Sequence, residues 1–329
     1  MTHLLNRFYL LALIAGLILT LGASGSISES DVPSPAPSFS AERAALDVQF
    51  AGEPIPYRVM GVFVMPGATA DLSLGASPSG GRVTVGAEAG TLTETSQHTW
   101  QWTAPDAPGV YPIRVRDRAS GATTRLNAFV LTPFDHDQQS LNGFRIGQYE
   151  QEPRKGLAVY EPPQGFIELT PETAHVRVSP HFTLGQFRCK QTGGPPEYVL
   201  LRTPMLRKLE LILEAVNARG HAASTLHVMS GFRTPYYNRA IGNRTEYSRH
   251  LYGGAADIFV DTDGDEMMDD LTGDGRSTIA DARELVRIVE RVMRDGAPRG
   301  LKGGLSAYGA NAAHGPFVHV DARGYRARW

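Results

Sequence analysis

Seven strand-sized runs of alternating apolar and polar residues fill the chain between Leu46 and Leu131, and they limit what this half can fold into. Turns rich in Gly and Pro separate the runs, for example at Pro66-Gly67, Ser79-Gly80-Gly81 and Pro108-Gly109. Short strands at this spacing pack as two facing sheets. We therefore predict an all-β sandwich over residues 43–133, with no catalytic group of residues in it.

The charge balance argues against one class of partner, and the cysteine content argues against disulfides in the fold. Lys and Arg number 32 and Asp and Glu number 34, which gives a net charge of -2. Because nucleic-acid binding usually needs a basic surface, we expect no nucleic-acid partner. The one cysteine, Cys189, cannot form an internal disulfide, so oxidation does not hold this fold together.

The N-terminal residues predict export. Arg7 precedes an apolar run from Phe8 to Ala23, which is shorter than the roughly 20 residues that span a bilayer. We therefore expect residues 1–25 to be a secretory signal peptide or, as the alternative, an uncleaved anchor that would be the only membrane contact. The Ser- and Pro-rich residues 26–42 are a predicted linker. The expected location is the periplasm or the cell envelope.

Beyond the sandwich the pattern becomes a mixture of helix and strand. Residues 134–178 form a connector that the pattern assigns to no fold. Thr203-Pro204 predicts a helix N-cap followed by Pro, with apolar residues at helical spacing after it. A second helix is predicted from Ser277 or Thr278. Residues 179–329 are therefore predicted to form an α+β domain.

Two imidazoles and one carboxylate in this domain have the spacing of a metal site. His250 and Asp257 are separated by six residues that include Gly253-Gly254, which allow the chain to turn between them. His319 lies in a predicted strand, on the face that it shares with Asp321. These ligand types suit zinc. Three protein ligands also leave the fourth position of a tetrahedral ion open, as in catalytic zinc sites.

The order of these residues resembles the zinc D-Ala-D-Ala carboxypeptidase family and related murein endopeptidases, in which Ser-x-His-x6-Asp is followed far downstream by a His-x-Asp strand. The resemblance covers Ser179 to Trp329. It implies a zinc peptidase domain of the hedgehog/D-Ala-D-Ala peptidase type, with His250, Asp257 and His319 as zinc ligands. The run from Trp102 to Val115 resembles bacterial immunoglobulin-like domains, so we expect the sandwich to be immunoglobulin-like.

The same resemblance implies roles for two residues near the metal. In relatives the Arg of the SGFR segment meets the substrate carboxylate or polarises the scissile carbonyl, which implies a catalytic and substrate-binding role for Arg233. Ser248 is expected to bind substrate or to orient His250. Without the motif, Arg233 would be interpreted as a structural ion-pair partner and Ser248 as a turn residue.

The position of the general base departs from part of the family. Many relatives have Glu or Asp three residues before the last zinc ligand, where this chain has Pro316, which cannot accept a proton. Other relatives have a His five residues before that ligand, where this chain has His314. Because a neutral imidazole accepts a proton near pH 7, His314 is the predicted base. Asp321 is the competing candidate, or it orients a ligand.

An acidic insertion at residues 261–281 predicts calcium, because oxygen ligands at alternate positions suit this ion. One loop resembles dockerin-type calcium loops and has its ligand positions at Asp270, Thr272, Asp274, Thr278 and Asp281. A weaker companion loop offers Asp261, Asp263, Asp265 and Asp269. The alternative is a solvated acidic loop without an ion.

Together these patterns predict an exported, zinc-dependent peptidoglycan peptidase that cleaves stem peptides or cross-links. Cleavage of D,D or L,D bonds, as a carboxypeptidase or an endopeptidase, is equally compatible with the sequence. One alternative is a cell-wall-binding module that kept the metal and lost hydrolysis, which the proline at position 316 permits. Another is a structural envelope protein in which the sandwich carries the function.

Overall fold

Two sheets form the N-terminal half in the computed structural model, which describes residues 39–75, 82–295 and 298–329. Their strands are β1 (Arg43–Phe50), β2 (Glu53–Tyr57), β3 (Val59–Val64), β4 (Thr69–Leu74), β5 (Val83–Ala87), β6 (Thr91–Ser96), β7 (Thr99–Thr103), β8 (Gly109–Asp117) and β9 (Thr123–Val130). The first sheet has the order β2-β1-β4-β7-β6, and all its pairs are antiparallel. The second has the order β3-β9-β8-β5, in which β3 and β9 are parallel.

Alternating side chains build the core of this half. Along β1, Leu46, Val48 and Phe50 are buried while the residues between them are exposed. Trp102 is fully buried, and its indole N–H donates to Ala89 O at 2.9 Å. Each of the seven predicted runs contains a strand. The strands β2 and β6 were not predicted, and β6 is almost wholly exposed, so it has no apolar alternation to detect. The immunoglobulin-like character stays a prediction.

The predicted connector, residues 134–178, contains several short elements that contact both halves of the chain. The elements here and just beyond it are β10 (Thr132–Pro133), β11 (Ser140–Leu141), β12 (Phe144–Arg145), β13 (Gly165–Leu169), α1 (Pro171–Ala174), β14 (Arg177–Ser179), β15 (Phe182–Thr183) and β16 (Glu197–Val199). β13 lies between β10 and β16 in a small antiparallel sheet. Tyr149 OH donates to Leu251 O at 2.8 Å, which ties the connector to the residue that follows His250.

A further sheet and three helices make up the C-terminal half. The elements are α2 (Thr203–Asn217), β17 (His227–Ser230), α3 (Pro235–Ala240), β18 (Ala255–Phe259), α4 (Ile279–Arg294), β19 (Gly304–Tyr308), β20 (Phe317–Asp321) and β21 (Ala327–Arg328). The sheet order is β17-β18-β20-β19-β21, with β19 and β21 parallel and the other pairs antiparallel. Short 3-10 helices lie at Arg154–Gly156, Ala158–Tyr160, Leu184–Phe187, Arg249–Tyr252 and Arg299–Leu301.

The two predicted long helices are present, with one correction at the first. Thr203 is the first residue of α2 and not its cap, and its hydroxyl donates to Gly61 O of β3 at 3.1 Å. The cap position is Arg202, which makes no side-chain capping bond. The second helix, α4, has Thr278 as its N-cap, and Asp281 completes a capping box.

The N-terminal sheets are fastened to α2 by charged and polar contacts. Arg43 and Tyr57 OH both donate to the Glu214 carboxylate, at 2.7 and 2.8 Å. Arg207 pairs with Glu53 at 3.0 Å. These contacts join residues from both halves into one compact unit, so the boundaries predicted between the halves stay predictions.

The predicted signal peptide and most of the predicted linker lie outside the described residues. Within the described ranges, no helix is both long and apolar enough to span a bilayer. Export therefore stays a prediction of the sequence.

Candidate metal centre

Three buried side chains from three chain segments meet at the C-terminal sheet. His250 belongs to the 3-10 turn Arg249–Tyr252, Asp257 to β18 and His319 to β20. The turn ends at Gly253, whose φ of 63° is left-handed and whose Cβ, if present, would lie 2.6 Å from Leu200 O. Only glycine fits this backbone without strain. The turn therefore returns the chain into β18 with His250 facing Asp257.

The spacing of the ligand atoms suits a small cation. His250 Nε2 lies 3.2 Å from both Asp257 Oδ1 and His319 Nδ1. His319 Nδ1 lies 2.9 Å from Asp257 Oδ1. A tetrahedral zinc ion with bonds of about 2.0–2.1 Å holds its ligand atoms roughly 3.3 Å apart. The three atoms need only small movements to bind such an ion.

The hydrogen bond on the far side of His250 fixes which of its nitrogens carries the proton. His250 Nδ1 donates to Gly231 O at 2.7 Å, so Nε2 is left with a lone pair. His319 Nε2 lies 3.4 Å from Asp321 Oδ2 and its Nδ1 lies 2.9 Å from Asp257 Oδ1, so without an ion this imidazole can donate to either carboxylate. With the proton on Nε2, two nitrogen lone pairs and a carboxylate oxygen would face one another. These are the groups that a zinc ion binds.

The electrostatics favour the metal-binding forms of His250 and Asp257, whereas the raised pKa of His319 means that this imidazole releases a proton when it binds a metal. Burial lowers the pKa of His250, so this imidazole is held neutral. Burial opposes ionisation of Asp257, but His250 and His319 outweigh it and hold the pKa of Asp257 well below its usual range. Burial also opposes charge on His319, but its hydrogen bonds to Asp257 and Asp321 raise its pKa. A neutral imidazole and an ionised carboxylate are the forms that ligate metals.

Asp321 contacts His319 Nε2, the ring nitrogen that faces away from His250 and Asp257, and it is not among the described residues that line the cavity. Its carboxylate accepts hydrogen bonds from Gly304 N at 2.9 Å and from the Arg323 guanidinium. Burial opposes its ionisation, but His319 and Arg323 hold the pKa of Asp321 far below its usual range. The backbone oxygen of Asp321 accepts from Lys208 Nζ of α2 at 2.7 Å. Asp321 is therefore placed to orient His319.

Arg233 and Ser248 both line the cavity next to the three ligands. Arg233 donates to Asp257 Oδ2 and, through Nε, to Ser230 Oγ at 2.8 Å. Its guanidinium thus holds the second oxygen of the ligand carboxylate and still has N–H groups to spare. The lack of a side chain at Gly231 lets this segment approach Phe187 closely, because a Cβ at position 231 would lie 2.7 Å from Phe187 Cα.

His314, the predicted base, is placed elsewhere. Its Nδ1 donates to Gly315 O at 2.8 Å, and its Nε2 accepts from Asn311 Nδ2 at 2.8 Å. The ring packs edge-on against Phe317 with the ring centres 4.8 Å apart. Among the described residues that line the cavity, His314 is absent. Both nitrogens are occupied by local partners, so this geometry does not support the predicted role.

The cavity beside the three ligands has a volume of about 540 Å³ and a cationic lining. Asp257 is the only Asp or Glu among the described residues that line it, whereas four arginines line it: Arg154, Arg233, Arg249 and Arg323. Aromatic side chains form another part of the wall: Tyr247, Tyr308, Phe317 and Trp329. Sequence reasoning missed Arg154, Arg323, Tyr308 and Trp329, because no spacing rule connects them to the ligands.

The acidic insertion uses its carboxylates differently from the prediction. Asp281 is buried and accepts from the backbone N–H groups of Leu271 at 2.9 Å and Thr278 at 2.7 Å, so it is a capping group. Asp270 likewise accepts from the amides of the turn that follows it. Within the described part of this loop, the carboxylates whose oxygens approach one another are Asp261, Asp263 and Asp265.

Other residues of the insertion form local contacts. Asp269 accepts from Thr262 Oγ1 at 2.7 Å, and Thr272 Oγ1 donates to Asp281 at 3.0 Å. Asp274 accepts from Arg276 N at 3.0 Å. Asp281 therefore does not take the position of the last calcium ligand beside Asp270 and Asp274, as the sequence predicted, because its oxygens accept hydrogen bonds from backbone amides. Calcium in this insertion stays a prediction of the sequence.

Comparison with known proteins bears on the C-terminal half. The model of a family described as Peptidase M15 matches residues 180–272, which include Arg233, Ser248, His250 and Asp257. This match supports a zinc peptidase of the M15 type, and His319 lies beyond the matched residues. No curated protein matches the chain.

One solved structure matches weakly. It is a nucleoside hydrolase-related hypothetical protein from Saccharophagus degradans that is associated with carbohydrate metabolism, with 14% identity and a TM-score of 0.21. The match covers 27% of this chain and 26% of that chain. A similarity this small carries no argument about fold or activity.

Proposed function

We propose that this protein is an exported zinc peptidase that cleaves the stem peptides or cross-links of peptidoglycan. The observation that carries the proposal is the buried group of His250, Asp257 and His319, whose ligand atoms converge beside a cavity. The M15 match supports a metallopeptidase in general. The finer assignments rest on the resemblance in the motifs and on the chemistry of the cavity.

The three converging side chains are the proposed zinc ligands. Zinc held there would supply a Lewis acid that activates water for attack on an amide. The chain supports each ligand from behind: Gly231 O holds His250, the Asp321 carboxylate holds His319, and Arg233 holds the free oxygen of Asp257. Such supporting contacts keep ligands in place and tune their basicity.

The cationic lining supports an anionic peptide as substrate. Stem peptides carry free carboxylates, and guanidinium groups bind carboxylates through two parallel N–H bonds. Arg323 is committed to Asp321, and Arg249 is buried beneath the site with one N–H on Val159 O. Arg154 is exposed, lies over the Tyr247 ring at 5.9 Å and forms no ion pair with any described residue. Arg154 is therefore the guanidinium best placed to bind a substrate carboxylate.

Arg233 is proposed to act on the scissile amide. Its remaining N–H groups can donate to the carbonyl oxygen while Nη2 stays on Asp257. Ser248 is proposed to contact the bound peptide from the same wall. Asp321 is proposed to orient His319, and His314 has no part in the proposed chemistry.

A cell-wall-binding module without hydrolytic activity is the second candidate function. Pro316 stands where many relatives have an acid, and the described cavity residues include no Asp or Glu besides Asp257. Under this alternative the protein would hold zinc and bind murein peptides without changing them.

Product analysis distinguishes the two candidates. The zinc-loaded protein is incubated with purified monomeric and cross-linked murein peptides, and the products are identified by chromatography and mass spectrometry. The proposal expects shortened stems or separated cross-links from the wild type and none from His319→Ala. The masses of the products also identify the bond that is cut. Binding of murein peptides without any product would instead establish the binding module.

A further inference from the structure

The wall of the cavity next to His319 is a stack of aromatic side chains. Tyr308 at the end of β19 lies opposite Phe317 on β20, with their rings parallel within 8° and their centres 4.7 Å apart. Trp329 packs beside His319 with ring centres 5.3 Å apart. The Trp329 indole also reaches Tyr308, with Nε1 2.6 Å from the hydroxyl oxygen. The wall therefore links Tyr308 to a proposed zinc ligand through Trp329.

The direction of this hydrogen bond can be deduced from chemistry. An indole N–H is a donor only, so the Tyr308 hydroxyl must accept from Trp329. The proton of the Tyr308 hydroxyl is then left to be donated to another group. The other tyrosine of the cavity, Tyr247, differs, because its hydroxyl donates to Glu152 O at 2.9 Å. Of these two tyrosines, only Tyr308 has a free proton.

Tyr308 lines the same cavity as His250, Asp257 and His319. Phe317 and His319 are two residues apart on β20, so both side chains point to the same face about 7 Å apart. Tyr308 stacks on Phe317 and is hydrogen-bonded to Trp329, whose ring packs beside His319. One stacked neighbour, Phe317, and one hydrogen bond, from Trp329, restrict the position of the hydroxyl, as an oxyanion donor requires.

We propose that Tyr308 is a catalytic residue that donates a hydrogen bond to the carbonyl oxygen of the substrate amide as negative charge develops on it. The proposal rests on the peptidase function proposed above. No covalent bond to Tyr308 forms, and its proton stays on the hydroxyl. Trp329 acts as a positioning residue, because its indole N–H orients the Tyr308 hydroxyl.

The first test is Tyr308→Phe, which keeps the ring that stacks on Phe317 and removes only the hydroxyl. We expect kcat on murein peptides to fall by about 10² to 10³, as for the loss of one oxyanion donor. KM, bound zinc and the melting temperature should stay near the wild-type values. The matched control is Tyr236→Phe: Tyr236 is as exposed as Tyr308, at 36%, but is not among the described residues of the cavity.

A binding measurement tests the same role without turnover. A phosphinate analogue of a stem peptide places a negatively charged oxygen where the amide carbonyl would be. Calorimetry on the zinc-loaded proteins should show about 10- to 100-fold weaker binding of this analogue to Tyr308→Phe, as for one lost charge-assisted hydrogen bond. Binding of the uncleaved parent peptide should not change.

Trp329→Phe tests the positioning role. It keeps an aromatic ring beside His319 and removes the indole N–H. We expect a loss of about fivefold in kcat, as for one neutral hydrogen bond, and no further loss when it is combined with Tyr308→Phe. Additive losses in the double variant would overturn the positioning role.

The outcomes separate this proposal from the peptidase proposal. Unchanged kcat and unchanged analogue binding in Tyr308→Phe would overturn the role of Tyr308, whereas lost zinc would show that the residue is structural. If the wild type cleaves no murein peptide, the peptidase proposal fails. The analogue measurement then decides alone whether Tyr308 binds an oxyanion.

Discussion

Asp257 and His319 lie directly opposite each other on neighbouring antiparallel strands, and Asp257 Oδ1 is 2.9 Å from His319 Nδ1. Both strands are buried along their whole length. A shift of one residue in their pairing would turn either side chain to the other face of the sheet. The core of the domain therefore fixes the distance between two of the three proposed ligands.

His314→Ala tests the position of the predicted base. Because Asn311 and Gly315 occupy both ring nitrogens, we expect the variant to keep its zinc and close to wild-type turnover. Steady-state kinetics with zinc analysis on the same samples provides the measurement. A loss of 10² to 10⁴ in kcat with zinc retained, in the range of a lost general base, would restore His314 to the mechanism.

Asp321→Asn tests whether the Asp321 carboxylate orients His319. The amide keeps the size of the carboxylate but loses the charge that holds the His319 N–H and Arg323. We expect zinc affinity to fall by about 10- to 100-fold, the usual effect of a lost supporting partner of a ligand. Competition with a chromogenic chelator measures it. Glu290→Gln is the control, because Glu290 pairs with Arg326 and Arg328 and not with a ligand. Equal zinc affinity in the two variants would argue against the supporting role.

Arg154→Ala tests the carboxylate site. We expect KM for stem peptides with a free carboxylate to rise about 10- to 100-fold, with kcat little changed, because a charge-assisted contact with the carboxylate is lost. Peptides amidated at the C-terminus or at a side chain show which carboxylate is bound. Arg145→Ala is the matched control, because Arg145 also lies over a tyrosine ring, Tyr236, at 5.0 Å. An identical KM in Arg154→Ala and wild type for every peptide would remove Arg154 from the site.

His181 gives the stability of the fold a predictable pH dependence. Its Nδ1 lies 2.7 Å from the buried Glu210 carboxylate. Burial lowers the pKa of His181, but the hydrogen bond and the charge of Glu210 outweigh burial and raise it. The pair therefore stabilises the fold fully below the unfolded value of about 6.5, and this stabilisation is lost as pH rises through the raised folded pKa.

Urea unfolding of His181→Asn checks this sign. The difference in unfolding free energy between wild type and variant should be larger at about pH 5.5 than at about pH 9. His175→Asn, which changes an exposed histidine, is the control. A difference that is independent of pH would mean that His181 contributes no charge to the fold.

The sequence predicted those parts of the molecule that depend on local pattern. The group of His250, Asp257 and His319 could be predicted because its motifs are short, and α4 because apolar residues recur at helical spacing after Thr278. The capping role of Asp281 was not predicted, because the same carboxylate also fits the spacing of a calcium loop. The role predicted for His314 rested on its spacing from His319, whereas its hydrogen bonds to Asn311 and Gly315 cannot be seen in a sequence pattern.

The walls of the cavity could not be predicted for a different reason. Arg154 reaches the cavity from the connector, and Trp329 reaches it from the residue after β21. Both are far in sequence from the ligands, and only tertiary packing brings them together. The same holds for Lys208, whose ammonium group supports the Asp321 backbone from α2.

The most direct test of the account measures zinc and murein cleavage on the same samples of wild type and His319→Ala. We predict close to one zinc per wild-type chain and release of shortened or separated stem peptides. His319→Ala should lose both together, because a three-ligand site that lacks one imidazole binds its ion far more weakly. A wild type that carries its zinc and leaves every murein peptide intact would contradict the account.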